Sequence, residues 1–334
     1  MKPVNIDNLI RIIKKSVDDH KLSPGCYARY LWNDEKGTRI MGRNEYGCAD
    51  AANILYSIGA FPSDPEERAE FVRHLQEMQD PESGQYFEDT HHTIHTTAHC
   101  TAALELFEAK PLYPCKGFEK YTTKEGLYEL LESNGVWDNP WPGSHQGAGI
   151  LPSLTNTDMV GLEWKNWYFD WMWEHSDPDI GFIFFGKEKL EPVRNYMCGG
   201  FHYMFNHEAE RRPLRYPEKI IDFCLNLMSD YDKHGLMGRL AKFQFIDVDV
   251  IYSLNRAMRQ TPHRFWEGKA AMEKYAEEYI PMLESTDFEH DESFNDLHML
   301  FGAVCCLAEL QAALPGKILT TKPMKLVLDR RPFI

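Results

Sequence analysis

Eight of the 14 histidines in this 334-residue chain stand in or near the polar starts of segments that are otherwise small and apolar. His91, His92, His95 and His99 crowd one such start, and His145, His202, His207 and His298 mark three others. Asp50, Asp247, Asp249 and Asp296 occupy equivalent positions. An apolar helix has no packing use for so many ionisable groups, because each costs free energy when buried without a partner. Imidazole titrates near neutrality and ligates metals through either nitrogen. Carboxylates in differing environments supply one acid and one base, the pairing that glycosidic cleavage uses. These residue types point to general acid–base chemistry. Asp249 with His95 or His99 is the expected proton-transfer pair, and Asp50 and Asp247 complete the catalytic candidates. Asp50, His145 and His298 are also placed to orient a substrate.

Each of these residues has a structural reading beside the chemical one. Asp caps helix N-termini, and Asp247, nearer the head of its segment, could cap on behalf of Asp249. Histidine and threonine at a helix head satisfy backbone groups. Asp296 and His298 lie two residues apart and so point apart on a helix, a polar cluster rather than a dyad. With an early helix start, His91, His95 and His99 step by four along one face, the alternative of a divalent-metal site. No ligand set completes itself in the sequence, so the expectation is no cofactor and no metal. Tyr46, Trp137, Trp141 and Tyr196, with Tyr86 and Phe87, lie in or near the preceding loops, where rings could stack on a sugar or line a pocket for a cation. The substrate-binding candidates are therefore Tyr46, His92, Trp137, Trp141, His145, Tyr196, His202, Asp296 and His298. Trp164, Trp167 and Trp171 recur at helical spacing on an amphipathic segment and read as core.

The elements that must position these groups follow from a repeat. A turn such as Asp80-Pro81-Glu82-Ser83-Gly84 precedes each polar-headed segment. The same plan recurs at Asp34–Gly37, Asn134–Trp137, Asp177–Phe182, Asp232–Leu236 and near Asp291. The spacing is roughly 50 residues, within the range of repeat architectures. Between these segments lie amphipathic helices predicted at Ile6–Val17, Arg68–Met78, Gly126–Leu131, Leu162–His175, Pro217–Tyr231 and Phe265–Leu283. Ser63-Asp64-Pro65-Glu66 and Thr122-Thr123-Lys124-Glu125 signal the starts of two of them. Amphipathic helices belong outside and all-round apolar ones inside. Six hairpins of inner and outer helices predict an all-α fold, an (α/α)6 toroid, with the inner-helix heads converging on one mouth. No linker interrupts residues 1–334, which predicts one domain with a tail, 311–334, packing on the body.

A formal net charge of −15 argues against nucleic acid or an anionic membrane as partner. No run is long enough to span a bilayer, and residues 1–7 carry no apolar leader core. The eight cysteines form no C-x-x-C and read as buried, reduced thiols, which predicts a cytoplasmic protein. No P-loop, GxGxxG, G-x-S-x-G or H-E-x-x-H occurs, so nucleotide, serine-hydrolase and zincin readings have no motif behind them.

Gln76–Phe87 resembles the "Q…Q…G…F" repeat of the terpenoid cyclases and protein prenyltransferase β-subunits. Asp296-Leu297-His298 with Leu307–Leu310 is similar to the prenyltransferase segment that carries a zinc histidine, and Asp247-Val248-Asp249 stands where that family has Asp-x-Cys. His145–Ile150 faintly resembles the repeats of lanthionine cyclases. The resemblance implies the α/α toroid, which many sugar hydrolases, lyases and epimerases also use. The expected function is a carbohydrate-active enzyme, hydrolase, lyase or epimerase, with a sugar or oligosaccharide as partner and self-association into a homo-oligomer left open. The alternatives are a terpenoid cyclase or prenyltransferase-like enzyme, and a non-catalytic ligand-binding toroid.

Overall fold

The structure is a computed structural model that describes residues 1–234, 236 and 242–330. It is all-α apart from two short strand pairs. β1 (Val4–Asn5) leads into α1 (Asp7–Asp19), whose buried Leu9, Ile13 and Val17 recur at helical spacing. An antiparallel pair, β2 (Lys21–Ser23) and β3 (Cys26–Tyr27), precedes α2 (Glu45–Ser57). Asp64 caps α3 (Pro65–Glu77) by accepting from the backbone N–H groups of Glu66 and Glu67. Next come α4 (Thr93–Glu105), α5 (Lys124–Leu131) capped by Thr123, the short α6 (Asn134–Trp137) and α7 (Pro140–Thr155). They are followed by α8 (Leu162–Glu174), α9 (Arg194–Ala209), α10 (Pro217–Leu227) and the single turn α11 (Tyr231–His234). α12 (Phe245–Ala257), α13 (Phe265–Ser285), the short α14 (Glu292–Asn295) and α15 (Leu297–Ala313) complete the helices, and β4 (Ile318–Leu319) pairs in parallel with β1.

Two kinds of helix alternate. α1, α3, α5, α10 and α13 bury one face each, as their amphipathic patterns require. α2, α4, α7, α9, α12 and α15 are buried almost all round: in α4 every residue from Ile94 to Leu104 is buried, and in α12 every residue from Ile246 to Ala257. These six pack in succession, α2 on α4, α4 on α7, α7 on α9, α9 on α12, α12 on α15, and α15 back on α2. Small residues permit the close approach. A Cβ on Gly199 of α9 would fall 2.5 Å from the carbonyl oxygen of Pro140 in α7. Gly84 in the turn before α4 has φ +73°, and a Cβ there would sit 1.9 Å from the Pro114 oxygen.

The alternation of helices follows the sequence pattern, with shifted ends. Asp64 rather than Ser63 is the cap of α3, and α10 ends at Leu227, four residues early. Trp164 and Trp171 are buried, as their helical spacing indicates. The predicted turn at 232–236 includes Gly235, which lies outside the described residues, as do tail residues 331–334. The described part of the tail packs a 3-10 turn, Val327–Asp329, against α2 and α9 with Val327 and Leu328 buried. All eight cysteines are buried free thiols. Among the described residues no helix is long and apolar enough to cross a membrane.

Candidate active site

The heads of the six buried helices bring their polar residues together in two layers. The deeper layer is centred on Asp50, in the second turn of α2. Its Oδ1 lies 2.9 Å from His99 Nε2 of α4, and its Oδ2 lies 3.0 Å from His298 Nδ1 of α15. All three side chains are buried. Burial pushes the Asp50 carboxyl up, but His298 and His99 together outweigh it and hold it below the usual carboxylate range. Tyr46, one turn before Asp50, lies parallel to the rings of His91, His95 and His99 and meets His298 edge-on. Its hydroxyl shares a hydrogen bond with His95 Nδ1.

Above this layer lies a cavity of about 110 Å³ lined by His91, His95, Trp141, His145, Phe201, His202, Phe245, Asp249 and His298. Four buried helices, α4, α7, α9 and α12, deliver His95, His145, His202 and Asp249 to it. Burial, reinforced by neighbouring imidazoles, holds His95 and His145 well below the usual histidine range. His202 is lowered to about 3 by burial, which the Cys198 carbonyl only partly opposes. His91 is also lowered by burial, against the pull of Glu88, whose carboxylate lies 3.6 Å from its Nδ1. Asp249 is displaced the other way. Burial pushes its carboxyl well up, the Cys198 thiol opposes this, and the nearby Asp247 charge adds to it. Asp249 Oδ2 finds no hydrogen-bond partner among the described residues. The cavity thus sets a carboxyl that burial pushes up beside His91, His95, His145 and His202, which burial pushes down, a separation suited to acid and base roles.

The structure gives several of the predicted residues other partners or other surroundings. Asp247, expected among the catalytic candidates, is instead engaged as the third helical residue of a capping box, accepting from the Gln244 backbone N–H at 2.8 Å and from the Tyr275 hydroxyl. Asp50 is sealed beneath the cavity and reaches it only through His298. His99 is held against Asp50 and does not line the cavity. Asp296 caps α15 and holds Arg29 bidentately at 2.9 and 3.0 Å. His92 caps α4 by accepting from the Ile94 N–H. α4 therefore starts at Thr93, and His91 lies outside the helix rather than on one face with His95 and His99. Trp137 and Tyr196 line a different space, a groove of about 910 Å³ with Phe184, Lys187 and Leu190. Trp137 Nε1 donates to the Leu131 carbonyl, and the Tyr196 hydroxyl accepts from the Leu190 N–H. Of the predicted set, Trp141, His145, His202, His298, His95 and Asp249 meet at the cavity, and Tyr46 packs against its histidines.

Sequence reasoning missed Arg29, Glu88, Phe201, Phe245 and Ser144. Arg29 is buried, pairs with Asp296 and Glu88, and lies over the Tyr46 ring at 4.9 Å. It anchors the loop before α4 to the head of α15. No local pattern marks it, since its partners are 59 and 267 residues away. Ser144 could have been noticed, one residue before His145; its Oγ lies 3.0 Å from His202 Nδ1. The described residues hold two groups of potential metal donors whose atoms lie within 4.8 Å of one another, His95–His145–His202 and Asp50–His99–His298. No family model, no curated protein and no solved structure matches the chain.

Proposed function

We propose that this chain is a single-domain (α/α)6 toroid of six helical hairpins, related to the α/α-toroid enzymes, and that it catalyses proton transfer on a sugar substrate at the cavity above Asp50. The closed succession of contacts from α2 round to α15 and back supports the toroid. One observation carries the catalytic reading: Asp249, buried, its carboxyl pushed up by that burial and its Oδ2 unpartnered among the described residues, shares a small cavity with His91, His95, His145 and His202. Asp249 donates the proton to a leaving or carbonyl oxygen. His91 is the favoured acceptor, since Glu88 stands beside its Nδ1 and can steady the imidazolium that forms. His95 is engaged by Tyr46, and His99 by Asp50. These two, with Asp50 and His298, position the cavity wall.

Size limits the substrate. A cavity of about 110 Å³ is well below the roughly 300–1,000 Å³ of pockets that enclose a drug-sized ligand, which supports entry of only the reacting end of a saccharide. A thermal-shift panel of sugars and uronates identifies the class to assay: a ligand at about 100 times its Kd adds roughly 2.7 kcal/mol of stability. On that substrate, Asp249→Asn and His91→Ala are each expected to lower turnover by about 10²–10⁴-fold with folding retained. Unchanged turnover in both would refute the assignment. Trp141, Phe201 and Phe245 in the cavity wall support a second reading, a terpenoid cyclase-like enzyme with Asp249 protonating an alkene. Stabilisation by prenyl diphosphates and not by sugars would favour it.

A further inference from the structure

The acid–base reading gives His145 and His202 no role and His95 only a positioning one. His95, His145 and His202 come from α4, α7 and α9, and one nitrogen of each lies within 4.8 Å of the other two. Their ring centroids are 4.3 Å apart for His95–His145 and 4.9 Å for His145–His202. Three imidazoles from three helices thus bring one nitrogen each to a common point. The other donor group differs, because the Asp50 carboxylate is already held between His99 and His298 in a sealed layer.

We propose that His95, His145 and His202 hold a divalent transition-metal ion of the zinc type, with Asp249 beside its open side. Imidazole nitrogen suits zinc and its neighbours in the first transition row. Zinc takes nitrogen donors at about 2.0–2.1 Å, often three protein ligands plus one exchangeable position, so binding would draw the three rings toward one another. The partners of the outer nitrogens fit this use. His95 Nδ1 bonds the Tyr46 hydroxyl, and His202 Nδ1 lies 3.0 Å from Ser144 Oγ. With Nδ1 of His95 and of His202 engaged, Nε2 is the nitrogen that these two rings would offer a metal, the arrangement by which second partners orient metal-binding histidines. These rings and Asp249, whose Oδ2 has no partner among the described residues, line the same cavity, which leaves space for an exchangeable ligand. Occupancy does not depend on the sugar reading. Only the use of the ion to polarise a substrate oxygen beside Asp249 rests on it.

The test uses the full chain after dialysis against a chelator, titrated with zinc in competition with a chromogenic chelator, with metal content measured by mass spectrometry. Wild type is expected to take up one zinc per chain. His145→Ala and His202→Ala, each checked for folding by near-ultraviolet circular dichroism, are expected to lose stoichiometric uptake, with affinity lowered by at least about 100-fold, the upper end of second-shell effects. His145→Gln, which keeps bulk without an imidazole, should behave the same way if either alanine variant misfolds. Cobalt(II) in wild type should give visible d–d absorption that these variants lack. No uptake by folded wild type would overturn the proposal, as would equal uptake by the variants. A loss of zinc uptake with Asp249→Asn turnover still impaired would separate failure of the metal site from failure of the acid–base assignment.

Discussion

Asp50 sets the register of the whole histidine cluster, and its removal should be costly. Asp50→Ala deletes hydrogen bonds to His99 and His298 and leaves two buried imidazole nitrogens facing a void. Removing one member of a buried charge-paired group costs about 3–5 kcal/mol. At about 2 °C per kcal/mol for a chain of this size, Tm should fall by about 6–10 °C. Asp50→Asn keeps the shape, accepts from one histidine and donates to the other. It loses charge assistance alone, about 1–2 kcal/mol. Urea unfolding at pH 7 should therefore rank wild type above Asp50→Asn and Asp50→Ala last. The pH dependence has a definite sign. The folded-state pKa of Asp50 lies below its unfolded value of 3.8. Its contribution is therefore full above that value and is lost as pH falls through the lowered native pKa. The gap between wild type and Asp50→Ala should persist at neutral pH and shrink in strong acid. A loss below about 1 kcal/mol for Asp50→Ala, or equal losses for both variants, would refute the reasoning, since breaking a buried pair should exceed both.

Two further outcomes are expected away from the cavity. His207 is buried against Phe169, and burial lowers its pKa to about 4, with the Arg212 and Pro213 carbonyls opposing. Protons then bind the unfolded chain first, so stability falls by about 3 kcal/mol between pH 6.5 and 4 and levels off below; His207→Asn should lose that much less over this range in urea titrations, and equal losses would contradict the assignment. Arg256 is buried among Glu309, Glu208 and Asp329 and lies over the Tyr252 ring. Arg256→Met should cost about 3–5 kcal/mol by stranding Glu309, and adding Glu309→Leu should recover part of it; a double variant no better than the single would argue that packing against Tyr252 dominates.

The fold was legible where local physics decides. All-round apolar segments with polar heads, such as Ala51–Tyr56 and Phe301–Leu307, had to be interior, and Asp64 and Thr123 marked helix starts through their caps. The site was half legible for the same reason: helix heads point where helices point, so His95, His145, His202, His298 and Asp249 could be grouped. What failed depended on loops and long-range pairs. Trp137 and Tyr196 face a separate groove because the segment around Phe184–Leu190 folds between them. His91 left the helix once His92 served as cap. Arg29 was invisible, since its burial is settled by Asp296, brought alongside by the bridge between Tyr30 and Asp296. Asp247 and Asp249 separated as their order along α12 indicated, the first to the backbone and the second to the cavity.

The return of α15 to α2 means that none of the six buried helices occupies an end position. In an open stack of repeats, the outermost unit lacks one neighbour and can peel away while the rest stays folded. Here every buried helix has a neighbour on both sides, so there is no natural place for fraying to begin. Opening any one contact also uncouples the helix heads that bring the four histidine- and aspartate-bearing walls together, which ties the integrity of the cavity to that of the whole chain.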